Sequence, residues 1–292
     1  MPASHRTQGY LYEREHMPRE ERLKLKLIFL RQTLKTAWTS SKEVQERFQV
    51  AGIEPSEIRT FEDWKKIPVI TKEDIIARQR GGSNLACMLA CQLGELSRIY
   101  MSPGPVLDPE CYEKDYWGWA EAFYAAGFRR NDIVIVAMNY HMRPAALMFE
   151  QALHDIGCTI IPSGPGNTRD QIHLMTSIPV TGFVGMGSFL RIIADKAIEM
   201  GFDLRNDFNL EVGLFSAERL PVSLKTSLEN DFDMLVHQGY GTSHVGCIAY
   251  ECPASAGYHI CDRCYVEVCD PESHQPLPYG ETGEVPVTPL SQ

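Results

Sequence analysis

The chain has 292 residues, 44% hydrophobic and 23% charged, and its 28 basic against 38 acidic side chains leave a net charge of −10. That composition is globular, with apolar material for a substantial core, and the acidic balance argues against a nucleic-acid partner. No stretch approaches the roughly 20 apolar residues of a membrane span, and residues 1–6 lead into charged sequence instead of an apolar signal core. The expectation is a cytoplasmic protein with no membrane partner. Nine cysteines are many, but Cys87, Cys91 and Cys158 stand singly among apolar neighbours and read as small buried hydrophobes in a reducing compartment.

In chain order, residues 20–50 carry Leu23, Leu25, Leu27, Ile28, Leu30 and Leu34 as an apolar stripe among Lys and Arg. This predicts one helix, closed by Gly52. Thr60-Phe61-Glu62-Asp63 and Thr71-Lys72-Glu73-Asp74 are capped helix starts with acid in the first turn. From about Leu96 strands and helices alternate. Helices are expected over 111–126, 144–156, 171–177, 188–200 and 221–230, with Gly127, Gly157 and Gly201 as stops. Strands are expected over 132–137, 159–162, 182–185 and 212–215, the first as an apolar run buried on both faces. This rhythm predicts an α/β fold with a doubly wound, mostly parallel sheet, whose ligands bind at the carboxyl ends of the strands. After about Asp231 the helices cease and short strands, turns and cysteines follow.

Two such strand ends stand out: Ser216-Ala217-Glu218 after Leu214-Phe215, and Gln238-Gly239-Tyr240-Gly241-Thr242-Ser243-His244. Small residues let a ligand approach the backbone, an aromatic such as Tyr240 can stack on a purine, and Thr242 or Ser243 can bond a phosphate or carboxylate oxygen. Either motif alone reads as a tight strand-to-loop turn.

A third cluster is Cys252, His259, Cys261 and Cys264, spaced C-x6-H-x-C-x2-C. Cys261 and Cys264 form a knuckle, and His259 and Cys261 would point the same way on a strand. Four such ligands without an open position describe a structural Zn2+ site, weighed against buried free thiols, with Cys247 and Cys269 as substitute ligands.

Together, in order and spacing, the strand-end motifs resemble something specific. With residues 51–55, 61–64, 67–74, 157–162, the Gly166-Asn167-Thr168 segment before a helix, and 266–284 with Asp270-Pro271-Glu272, the chain resembles the phenylacetate–coenzyme A ligase branch of the AMP-forming acyl/aryl-CoA synthetase (adenylate-forming) family. The resemblance covers roughly residues 20–290. It implies the large N-terminal domain of such a ligase. A helical segment would span 1–90, an α/β nucleotide- and acid-binding core 91–230, and a β-rich portion with the zinc hairpin 231–292. It also implies a two-step reaction: a carboxylate attacks the α-phosphate of ATP, with Mg2+, to give an acyl-adenylate and pyrophosphate, and coenzyme A then displaces AMP. On this match Ser216, Ala217 and Glu218 line the adenine pocket with Gln238 and Gly241, Tyr240 packs on the adenine, Thr242 and Ser243 face the α-phosphate and the acid carboxylate, and Tyr140 lies near the acid pocket.

Four departures set the chain apart from that family. Where a Ser/Thr/Gly-rich phosphate loop should follow Ile99, the sequence is Tyr100-Met101-Ser102-Pro103-Gly104-Pro105-Val106-Leu107-Asp108-Pro109. The prolines remove N–H donors, and the usual cation is missing from the stretch. His244 replaces the expected Mg2+-binding acid, and imidazole suits a hard cation poorly. On the same match, the sequence ends before the expected Arg-bearing strand and ribose-binding aspartate and does not reach the expected small C-terminal domain with its lysine. Two readings follow. One is an acid–CoA ligase of a small, aromatic carboxylic acid, incomplete or impaired in this chain. The other is a non-catalytic, zinc-braced nucleotide- or acyl-binding homologue that acts with an intact ligase; for either reading the expected protein partners are a second copy of the chain or an intact ligase.

Overall fold

The computed structural model describes residues 4–80, 85, 88–103 and 105–290, so Cys87 and Gly104 lie outside the described residues. Two compact units are present, one made of Met1–Glu15 with Glu113–Cys261 and the other of His16–Tyr112 with Asp262–Gln292.

The second unit begins with α1 (Arg19–Ser40) and α2 (Lys42–Ala51). The single helix expected over 20–50 is thus broken at Ser41, which is extended (φ −110°, ψ 115°). Thr39 Oγ1 donates to the carbonyls of Lys35 and Thr36, and Gln45 Nε2 takes the Trp38 carbonyl. Hydroxyls and amides that compete for backbone groups weaken helix continuation, which accounts for the break. Gly52 ends α2 in the left-handed conformation. Helix α3 (Phe61–Trp64) starts from a Thr60–Asp63 capping box, and α4 (Lys72–Arg80) from reciprocal Thr71–Asp74 bonds. Strands β1 (Arg98–Ser102) and β2 (Val106–Glu110) form an antiparallel hairpin.

The first unit follows. Helix α5 covers Ala120–Ala126 only. Asp115 and Gly118 both adopt positive φ, and Asp115 Oδ1 accepts the amides of Trp119 and Ala120 at 2.9 and 3.2 Å. The chain therefore turns there, and the helix starts later than its apolar pattern suggests. Then come β3 (Ile133–Val136), α6 (Ala145–Ile156), β4 (Thr159–Ile161), α7 (Thr168–Ser177), β5 (Gly182–Gly185), α8 (Gly187–Glu199), β6 (Val212–Phe215), α9 (Val222–Phe232), β7 (Leu235–Thr242), β8 (Gly246–Tyr250) and β9 (His259–Ile260). The sheet order is β4-β3-β5-β6-β7-β8-β9. Pairing is parallel from β4 to β7 and antiparallel beyond. The expected doubly wound, mostly parallel sheet is present. Ile135, Phe183, Leu190, Ile193, Phe215 and Val236 belong to its main core, each side chain contributing roughly 1.5–3 kcal/mol on burial.

The N-terminal segment is held to this unit by a buried ion pair. Arg6 forks onto Asp132, with Nη2–Oδ1 at 2.7 Å and Nη1–Oδ2 at 2.9 Å, and its Nε donates to Glu211 at 2.7 Å. Thr181 and the Arg129 amide complete the Asp132 carboxylate's bonding.

Strands β10 (Cys264–Val266) and β11 (Val287–Pro289) complete the second unit. Its core gathers Leu30, Leu34, Phe48, Ile58, Ile67 and Leu290. Lys26 Nζ donates to the Cys264 carbonyl at 2.8 Å, and Phe61 stacks on Tyr265 at 3.9 Å. Among the described residues no helix is long and apolar enough to cross a membrane.

Candidate functional site

The parallel register between β6 and β7 sets Phe215 opposite Gln238. The two strand-end motifs therefore leave the sheet side by side, at the carboxyl edge where doubly wound sheets bind ligands. After β6, Ser216 is buried and its amide donates to the Gly185 carbonyl at 3.2 Å. Ala217 has φ +75°, an unfavourable left-handed conformation for a side chain with a Cβ. Glu218 turns to the first turn of α8, accepting from the Ser188 amide at 2.7 Å and from the Ser188 hydroxyl at 3.0 Å. A carboxylate there satisfies free amides and favours the helix dipole.

On β7 the glycines create a flat contact. A Cβ on Gly239 would lie 2.6 Å from the Trp119 ring, and one on Gly241 would lie 2.6 Å from the same indole and 2.3 Å from the Gly246 carbonyl oxygen. Neither position accommodates a side chain. Trp119 is held in place by its Nε1–H directed at Met148 Sδ (3.1 Å) and by an edge contact with Phe149. With these glycines pressed on Trp119, Tyr240 between them is 48% exposed and offers a ring face for stacking. The pairing shifts between Tyr240 and Gly241, a bulge of the kind that re-aims side chains near ligand sites. Thr242 Oγ1 accepts the Val245 amide at 3.2 Å, and Ser243 and His244 form the turn into β8.

Tyr140 follows β3, at the point where the strand order reverses between β4 and β5. Its hydroxyl donates to Glu150 Oε2 at 3.0 Å. Burial, reinforced by the Glu150 charge, raises its pKa well above that of an ordinary phenol. Gln238 uses its side chain internally: Oε1 accepts the Leu220 amide at 2.9 Å and Nε2 faces Glu251 Oε1 at 3.3 Å. Trp119, Glu150 and Glu251 are the site residues that sequence reasoning missed. Only Trp119 left a signal, its place in the aromatic run Tyr116-Trp117-Gly118-Trp119 ahead of a helix.

The stretch read as a replaced phosphate loop is the β1–β2 hairpin of the second unit. Gln79 of α4 closes on its edge, Nε2 donating to the Leu107 carbonyl at 3.0 Å and Oε1 accepting the Leu107 amide at 2.8 Å. A cation does reach this hairpin: Lys72 Nζ donates to the Pro103 carbonyl at 2.9 Å. It comes from α4, outside the segment where a lysine was sought.

The four expected zinc ligands do not form a metal-holding group among the described residues. Cys252 Sγ and His259 Nε2 lie 3.1 Å apart. Cys261 is buried, its thiol 3.7 Å from the Gly118 carbonyl and 3.9 Å from Glu121. Cys264 begins β10. Strand β9 ends at Ile260, so the alternation invoked for His259 and Cys261 has no strand to act on. Among the described residues no group of three or more His, Cys, Asp or Glu side chains could hold a metal ion. The four positions named for Zn2+ are therefore not a metal site as they are placed.

A doubly wound sheet with this paired strand-end wall has clear relatives. The family model described as AMP-binding enzyme matches residues 116–288, more than half of the chain, and the chain belongs to that family. It is 29% identical to the phenylacetate–coenzyme A ligase of Pseudomonas putida over 274 residues, covering 90% of this chain and 61% of that protein. It is 27% identical to the Escherichia coli (strain K12) ligase of the same name, covering 62% of it. The chain thus spans a little over three fifths of the length of these relatives. A crystal structure of 2-hydroxyisobutyryl-CoA ligase in complex with 2-HIB-AMP and CoA shares the fold with a TM-score of 0.89 at 23% identity, covering 99% of this chain and 65% of that one.

Proposed function

We propose that the chain is the nucleotide- and acid-binding part of a phenylacetate–CoA-ligase-like activity. The observation that carries this reading is the Phe215–Gln238 pairing, which presents Ser216–Glu218 and the exposed Tyr240 ring at neighbouring strand ends. In this reading the adenine stacks on Tyr240, the wall from Ser216 to Glu218 covers its edge, and the Thr242 and Ser243 hydroxyls face the α-phosphate. Tyr140 borders the acid. One carboxylate oxygen attacks the α-phosphorus and pyrophosphate leaves. The coenzyme A sulfur then attacks the acyl carbon and AMP leaves. The protein's part in both steps is positioning and charge stabilisation.

A second reading has its own observation. The β1–β2 hairpin pairs with itself, gives the Leu107 amide to Gln79, places prolines at 103 and 105, and directs Lys72 at a backbone carbonyl. That favours a homologue that holds an adenylate or acyl group without making it. A cytoplasmic location, and association with a second copy or an intact ligase, belong to this proposal as well. Incubation with ATP, Mg2+, labelled pyrophosphate and a panel of aryl and short acyl acids separates the two readings. Acid-dependent label in ATP establishes the ligase reading and sinks the binding one. Nucleotide binding without exchange does the reverse.

A further inference from the structure

We infer that Glu251, which lies outside both strand-end motifs, is the positioning residue of the nucleotide wall. The inference rests on the reading of that wall proposed above. Just past β8, Glu251 Oε2 accepts the Gln238 backbone amide at 3.0 Å and the Lys225 ammonium at 3.1 Å, while Oε1 faces Gln238 Nε2 at 3.3 Å. A carboxylate only accepts, so it selects the donating end of the Gln238 amide and leaves the carbonyl end toward Leu220. The Leu220 amide donates to that oxygen at 2.9 Å. Reversing the amide would set two acceptors together at Glu251 and two donors together at Leu220.

Leu220 ends the loop that carries Ser216, Ala217 and Glu218. Its side chain packs against Gly187, where an added Cβ would lie 2.3 Å from Leu220 Cδ1, and Glu218 bonds Ser188 next door. The loop is thereby anchored on α8, and the Gln238–Leu220 bond ties it to the strand that carries Tyr240. Lys225 of α9 fixes Glu251 from the other side through a charge-assisted bond. The series Lys225–Glu251–Gln238–Leu220 sets the spacing between the wall and the Tyr240 ring before a nucleotide arrives, which is preorganisation in the ordinary sense.

The test measures Leu220 amide exchange by NMR and AMP affinity by calorimetry on the full chain, in wild type, E251A, E251Q and T181A. Thr181 bonds Asp132 at the amino ends of β5 and β3, so T181A lowers stability away from the carboxyl-end wall. For E251A the expected result is at least tenfold faster Leu220 exchange and about tenfold weaker AMP binding. E251Q keeps one acceptor oxygen but turns an NH2 toward a Gln238 or Lys225 donor, so it no longer selects the Gln238 orientation and should fall between wild type and E251A in both readouts. T181A should leave both unchanged. E251A behaving as wild type, or T181A matching its losses, overturns the positioning role. Wild-type protein that binds no AMP overturns the nucleotide reading and this assignment with it, whereas binding that E251A leaves intact overturns this assignment alone.

Discussion

His237 precedes Gln238 on β7, is 3% exposed, and has no hydrogen bond at either ring nitrogen among the described residues. Burial, followed by the nearby Lys225 charge, pushes its pKa down to about 4, with Glu251 opposing. The unfolded chain therefore takes up this proton at higher pH than the folded one. Stability contributed by the neutral ring is complete above about pH 6.5 and is lost as pH falls toward 4, by about 3 kcal/mol in all. Urea unfolding at pH 7.0 and 4.5 should show this loss in wild type and a much smaller one in His237→Leu. Equal slopes would remove His237 as the cause. Residues of this kind are poorly legible in sequence. His237 looks no different from the exposed His154, and Glu251 sits beside Cys252 with nothing to mark it. Tyr240 and Ser216 enter the proposed wall because the order of motifs, and not any single residue, points to them.

At the scale of elements, the flat contact of β7 on Trp119 makes a sharp demand. Gly241→Ala would press a methyl against the Gly246 backbone and the indole, and an overpacked site typically costs about 1–3 kcal/mol. The melting temperature should fall by several degrees, and AMP binding should weaken as the strand shifts. A variant with wild-type melting and binding would show that the contact is looser than described. The Arg6–Asp132 pair sits at the amino end of β3. Arg6→Ala leaves a buried carboxylate without its cation and should destabilise this unit by about 3–5 kcal/mol, measured by urea unfolding. Burial raises the Asp132 pKa, but the Arg6 contacts, with the Arg129 amide and the Thr181 hydroxyl, together hold it below its usual value. Their stabilising effect is therefore present above about pH 4 and is lost below it. Strands β3 to β6 and the glycine-stopped helices were legible because local periodicity decides them. The break at Ser41 and the late start of α5 were not, because side chains of Thr39, Gln45 and Asp115 capture the backbone there.

At the scale of the molecule, the parallel sheet followed from the alternation of strands and helices, but the partnership of distant segments did not. Arg6 meets Asp132 across 126 positions and Lys26 meets the Cys264 carbonyl across 238, and no local pattern encodes such pairs. The cysteine spacing alone likewise did not make a metal site: among the described residues no group of three or more His, Cys, Asp or Glu side chains could hold a metal ion. The central claim is that neighbouring ends of β6 and β7 form a wall for an adenine nucleotide. The most direct measurement is calorimetric titration of AMP into wild type and Tyr240→Ala. A single site in wild type, weakened at least tenfold by the loss of the stacking ring, is the predicted result. No binding to wild type, or equal affinity in the two proteins, would contradict it.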